Sequence, residues 1–156
     1  MDEKKREILP LDELAPIITE ALASGGTFPL YPGGRSMLPT LRPGEDEVLL
    51  ASPKKLKEGD IVFYRRESGV FVLHRIVKIK KDGSLVLRGD GQFYNEEGVL
   101  PSQVIAVVAE YRKGERTVRR GSGAEKRRFL YLRARYGAKR ILGGLKRRMG
   151  RKKRNE

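Results

Sequence analysis

A mainly β body, with a short helix before it and a basic helix behind it, is the fold class that this 156-residue sequence predicts. Three observations predict it. Between residues 46 and 111, apolar runs of strand length alternate with turn residues at short spacing. Near the start, Leu14, Ile17, Ile18, Ala21 and Leu22 recur at helical spacing instead. Charge is also divided along the chain. Residues 1–111 carry 15 Lys/Arg against 17 Asp/Glu, a net of −2, while residues 112–156 carry 19 against 3, a net of +16. The length suits one domain of ordinary size, read as a leader and helix (1–26), a β domain (27–113) and a basic linker with an amphipathic helical tail (114–156).

The elements follow in order. Asp12 is expected to cap a helix over 13–23, which Gly25-Gly26 stops. A loop rich in glycine and proline comes next, “YPGGRSMLPTLRPGEDEVLLA” (31–51), and runs into a strand at 46–51. “PKKLKEGD” (53–60) reads as a turn, “IVFYRR” (61–66) as a strand and “ESG” (67–69) as a hairpin turn. “VFVLHRIVKI” (70–79) and “SLVLRGD” (84–90) are extended runs around “KKDG”, and “QVIAVVAEY” (103–111) is the last apolar strand. From Gly114 the composition turns basic: “RRGSG” is a linker, and the rest reads as a helix with Leu130, Ala134, Ala138, Ile141, Leu145 and Met149 at three- and four-residue steps.

Composition narrows the chemistry. The chain has no cysteine and a single histidine, which excludes a disulfide framework, a thiolate metal site and a zinc site made of histidines. Neither metal nor cofactor is expected, so chemistry falls to oxygen and imidazole. No apolar window is long enough to span a membrane, and the charged start, with Asp12, Glu13 and Glu20 inside its apolar stretch, argues against a signal peptide. A cytoplasmic protein is expected, peripheral at the inner face of the membrane if its tail binds there.

Ser36 sits between three glycines and three prolines, a density of backbone-shaping residues suited to presenting one hydroxyl. A hydroxyl nucleophile needs a base, and the base needs a group to fix its tautomer. His74 supplies the imidazole. If Lys81-Asp82-Gly83 form a three-residue hairpin loop, counting back along both strands sets His74 opposite Asp90, with Cβ atoms roughly 5 Å apart. A two-residue Asp82-Gly83 turn would pair Arg75 with Asp90 on the other face. Lys78 and Lys80 are the rival bases.

These residues carry a resemblance. “GRSMLPTLRPGEDEVLL” (34–50) resembles the nucleophile box of type I signal peptidases and their LexA-like relatives. “GDIVFY” (59–64) and “VLHRIVKI” (72–79) resemble the strand boxes that follow, and “RGDGQFYNEEG” (88–98) the closing acidic box; the likeness covers about residues 28 to 110. With His74 at the base position, it is to the endoplasmic-reticulum and sporulation type. It implies a signal-peptidase/LexA-like β body and a serine endopeptidase in which Ser36 attacks, His74 is the base, and Asp90, or alternatively Glu96, orients it. It further implies an extended leader or signal-type peptide substrate with small residues before the cut, added as a strand along Phe28 to Pro32. Pro29, Gly34, Arg35 and Met37 are then the oxyanion- and substrate-binding positions, with the Ser36 amide as an oxyanion donor. The rival readings are a self-cleaving LexA-like protein and a non-enzymatic basic adaptor. The tail (126–154) is expected to favour an anionic membrane surface over nucleic acid.

Overall fold

The structure, a computed structural model, describes residues 10–152, with side chains described as far as residue 143. Helix α1 (Leu11–Ala23) is followed by eight strands: β1 (Phe28–Leu30), β2 (Glu47–Ala51), β3 (Ile61–Arg65), β4 (Phe71–Ile79), β5 (Leu85–Arg88), β6 (Glu96–Val99), β7 (Val104–Lys113) and β8 (Arg116–Arg119). Helix α2 (Gly123–Lys152) ends the described chain. The fold is mainly β with one helix at each end. The chain divides into two compact units, one ending at Arg120 and one starting at Gly121.

All strands join one antiparallel sheet in the order β1-β2-β7-β3-β4-β5-β6, with β8 paired to β7 beside that path. Its centre is β3, where Ile61, Val62, Phe63 and Tyr64 are all buried, so both faces are covered. Successive side chains of a strand point to opposite faces. Ile61 and Phe63 accordingly join Ile18 and Leu22 of α1, Met37, Leu41, Val48 and Leu50 in one cluster. Val62 and Tyr64 join Ile76, Leu85, Leu87, Val104 and Val107 in another.

Five strands stand within a few residues of their apolar runs, because a buried run needs only its own side chains to be recognised. β1, β6 and β8 carry no such run: “FPL”, “EEGV” and “RTVR” are strands only because a neighbour pairs with them. The basic stretch expected as a linker from Gly114 begins inside the sheet. Gly114, at φ +60°, turns β7 back into β8. At the other end, α1 starts two residues earlier than expected, behind Pro10, and Asp12 makes no cap but sits in the first turn. There its charge faces the positive end of the helix dipole.

The β4–β5 hairpin decides the site. Its turn is the expected three-residue loop: Lys80 N–H donates to the Ser84 carbonyl at 2.9 Å, and Gly83 takes the left-handed φ of +83°. Ile79 faces Leu85 and Lys78 faces Val86, but then Ile76 faces Leu87 and Arg75 faces Arg88. Val77 is a bulge. One extra residue shifts every later pair by one place, so the expected pairing of His74 with Asp90 does not form.

Candidate active site

Ser36 lies in the loop between β1 and β2, which is held at many points. Met37 and Leu41 are buried in the core next to α1. The Arg42 guanidinium and amide clamp Asp46, with Nη2 donating to Oδ1 at 2.7 Å and the backbone N–H to Oδ2 at 2.9 Å. Gly44 N–H closes the loop onto the Pro32 carbonyl at 2.8 Å. From below, the turn after β5 presses on it. Gly91 N–H donates to the Ser36 carbonyl at 2.9 Å, and a Cβ on Gly89 would stand 2.5 Å from that same oxygen. Glycine at 89 is what allows the approach. The Ser36 hydroxyl makes no hydrogen bond among the described residues.

His74 is only 2 % exposed, and its surroundings assign its tautomer. Nδ1 lies 3.3 Å from the Tyr64 hydroxyl and 4.0 Å from the Glu96 carboxylate. The Tyr64 hydroxyl donates its one proton to Glu96 Oε2 at 2.8 Å. Arg66 closes the chain, Nε donating to Oε1 at 2.9 Å and Nη2 to Oε2 at 2.6 Å. Burial pushes the Glu96 carboxyl up, but hydrogen bonds from Arg66 and Tyr64 outweigh it and hold the group below its ordinary range. Ionised, Glu96 only accepts, so the Tyr64 proton is committed to it and the Tyr64 oxygen is left to accept from His74 Nδ1–H. Nε2 then keeps its lone pair, the state a general base needs.

Asp90 is placed elsewhere. Arg75, next to His74 in sequence and therefore on the opposite face of β4, takes it in a buried bidentate pair, Nε to Oδ1 at 2.8 Å and Nη2 to Oδ2 at 2.7 Å. The Thr40 hydroxyl donates to the same carboxylate, and Arg75 Nη1 donates to the Gly59 carbonyl at 2.7 Å. The expectation that Asp90 orients His74 is thus corrected. Asp90 ties β4 to the Ser36 loop, and the acid that reaches His74, through Tyr64, is Glu96. The Val77 bulge is the physical reason.

Ser36 and His74 line one cleft of about 340 Å³, together with Gly33, Gly34 and Met37. Its apolar walls include Leu30, Phe63, Phe71 and Leu73, with the Phe63 and Phe71 rings stacked at 5.6 Å. Met37 is both wall and core. No atom lies within 4 Å of where a Cβ on Gly33 or Gly34 would be, so the backbone there is open to approach. Exposed Pro29 and Arg35 are not among the lining residues, although Pro29 sits in β1, the end strand of the sheet. Lys80 is held by Glu97 at 2.5 Å, and neither it nor exposed Lys78 lines the cleft. Among the described residues, no group of three or more Asp, Glu or His is placed to hold a metal ion. Tyr64 and Arg66 were missed in the sequence. Their signal was the “ESG” turn, since counting from it sets Val62 opposite His74 and Tyr64 one pair along on the same face. No protein-family model, curated protein or solved structure matches the chain.

Burial pushes the His74 pKa from 6.5 down to about 4; Glu96 pulls it up, Arg66 lowers it further, and Asp90 pulls it up. The folded value lies below the unfolded one, so the unfolded chain takes the proton first. This contribution to stability is intact above pH 6.5 and is lost as pH falls from 6.5 to 4, by about 3 kcal/mol in total. Urea unfolding at pH 7.5 and pH 4 is expected to show that loss in the parent beyond what His74→Gln shows, and an equal loss in both proteins would place the titration on other groups.

Proposed function

We propose that the chain is a serine endopeptidase, similar in mechanism to the Ser/His type of signal peptidase, that cleaves an extended leader or signal-type peptide. One observation carries the reading: Ser36 and His74, far apart in sequence, line the same cleft; a proton on His74 Nδ1, donated to the Tyr64 oxygen, leaves Nε2 as the basic nitrogen. The substrate lies along the outer edge of β1 and brings its scissile carbonyl to Ser36. Small residues before the cut remain an expectation from the resemblance.

Chemistry then runs in two halves. Nε2 takes the Ser36 proton as Oγ attacks the carbonyl carbon, and the carbonyl π pair becomes an oxyanion facing the Ser36 amide. The imidazolium gives its proton to the leaving amine as the C–N bond breaks, leaving the acyl group on Ser36. Water repeats the attack with His74 again as base, releasing the acid and restoring the hydroxyl. Glu96 and Tyr64 steady the imidazolium at Nδ1 in both halves. The workplace in this reading is the cytoplasm.

A fluorophosphonate probe is expected to label the protein and to leave Ser36→Ala unlabelled, and mass spectrometry of incubated leader peptides is expected to show one internal cut. A folded protein that ignores the probe would instead be a non-enzymatic adaptor; cleavage of its own chain alone would make it a self-processing protein.

A further inference from the structure

Helix α2 leaves large apolar side chains in water. Leu130, Tyr131, Ile141 and Leu142 are 68 %, 55 %, 67 % and 61 % exposed. At 3.6 residues per turn these four, with Ala134 and Ala138, fall in one sector about 120° wide. Basic residues run along both borders, Arg128, Arg135 and Lys139 on one side, Lys126, Arg133 and Arg140 on the other. Among the described side chains of the helix, only Arg127, ahead of Leu130, interrupts the sector, and Glu125 is the one acid. Leu145 and Met149, which continue the stripe in sequence, have side chains outside the described residues.

An amphipathic helix ordinarily turns its apolar stripe to a core. This stripe faces solvent, so its occupant is another phase or molecule, and the cationic borders specify that occupant. We propose that α2 lies in the interface plane of an anionic lipid bilayer, with the apolar stripe sunk to the acyl boundary and the two basic rows among the headgroups. No helix among the described residues is long and apolar enough to cross a membrane, and an in-plane helix needs no such length. Nucleic acid would satisfy the charges equally well but offers no apolar phase in which to bury Leu130, Ile141 and Leu142. The inference does not depend on the peptidase reading.

The chain contains no tryptophan, so Tyr131→Trp gives a reporter without background. In the full chain its emission is expected to shift to the blue with vesicles of phosphatidylcholine and phosphatidylglycerol and to stay unchanged with phosphatidylcholine alone. The combined variant Leu130→Ser, Ile141→Ser and Leu142→Ser, checked for unchanged helicity by circular dichroism, is expected to float with anionic vesicles at least tenfold less than the parent. Should the variant lose helicity, quenching of the Tyr131→Trp reporter by lipids brominated along the acyl chain decides instead: quenching supports insertion, and its absence overturns it. Equal flotation of a folded variant and the parent would overturn the proposal. Binding to duplex DNA or RNA that exceeds vesicle binding and ignores the serine substitutions would replace it with a nucleic-acid interface.

Discussion

Ser36→Ala is expected to abolish peptide cleavage, by on the order of 10⁴-fold or more in kcat, while its unfolding curve overlays the parent's. The two halves of that expectation have separate causes. In the proposed mechanism the lost oxygen is the attacking nucleophile. The fold is spared because the hydroxyl makes no hydrogen bond among the described residues, whereas the backbone of Ser36 is held by Gly91. His74→Gln is expected to lose as much, and the double variant no more, because nucleophile and base act as a unit. In the parent, kcat/KM is expected to rise with pH through the His74 value near 4 and to be flat by pH 6. Native turnover in His74→Gln, with loss in Lys78→Ala or Lys80→Ala, would transfer the base to lysine.

Asp90→Asn is expected to unfold easily without losing its chemistry. The substitution leaves Arg75, 1 % exposed, charged and half-partnered in the interior, and breaking a buried pair in this way costs about 3–5 kcal/mol. Activity per folded molecule is expected to stay within about tenfold of the parent, since His74 keeps Tyr64 and Glu96. Glu96→Gln inverts the pattern. Arg66 is partly exposed and water can take over its solvation, but the amide can donate to Tyr64 and release the tyrosine proton toward Nδ1, the wrong tautomer for a base at Nε2. A fall in kcat/KM on the order of 10²-fold is expected there with little change in urea midpoint; Tyr64→Phe is expected to show a similar fall and a lower midpoint as well, since the buried Nδ1–H loses its acceptor. A stable but inactive Asp90→Asn beside a fully active Glu96→Gln would return the orienting role to Asp90.

The contrast between these two acids shows where sequence reasoning holds and where it stops. Alternation and turn chemistry located β2, β3, β4, β5 and β7, the β4–β5 turn with Gly83, and the loop around Ser36, since each depends on residues adjacent in the chain. The partner of His74 depends on a bulge, and Val77 bears no mark of one; a valine in an apolar run looks the same whether paired or extruded. Counting along the strands without the bulge therefore puts Asp90 on the wrong face. Tyr64 was legible in principle through the shorter β3–β4 hairpin, which runs without interruption from Arg65 and Phe71 to Ile61 and Arg75. Gly89 and Gly91 read as turn residues, and only the fold shows that they make room for the carbonyls of Ser36 and Leu38.

Pro29 stands in the middle of β1 and pairs with Leu49 although it has no N–H to give. In an antiparallel ladder that is possible only where Phe28 and Leu30 carry the hydrogen bonds to β2, so Pro29 turns its carbonyl outward. The outer rim of the sheet is thus an acceptor beside a missing donor. On the proposed reading, a substrate peptide would anchor one amide there and find the rest of its grip in the cleft. Two copies of the chain laid rim to rim would meet the same gap from both sides, with no continuous ladder to join them. One imino acid thus leaves the rim an outward acceptor for the proposed substrate while withholding the donor that an edge-to-edge ladder needs.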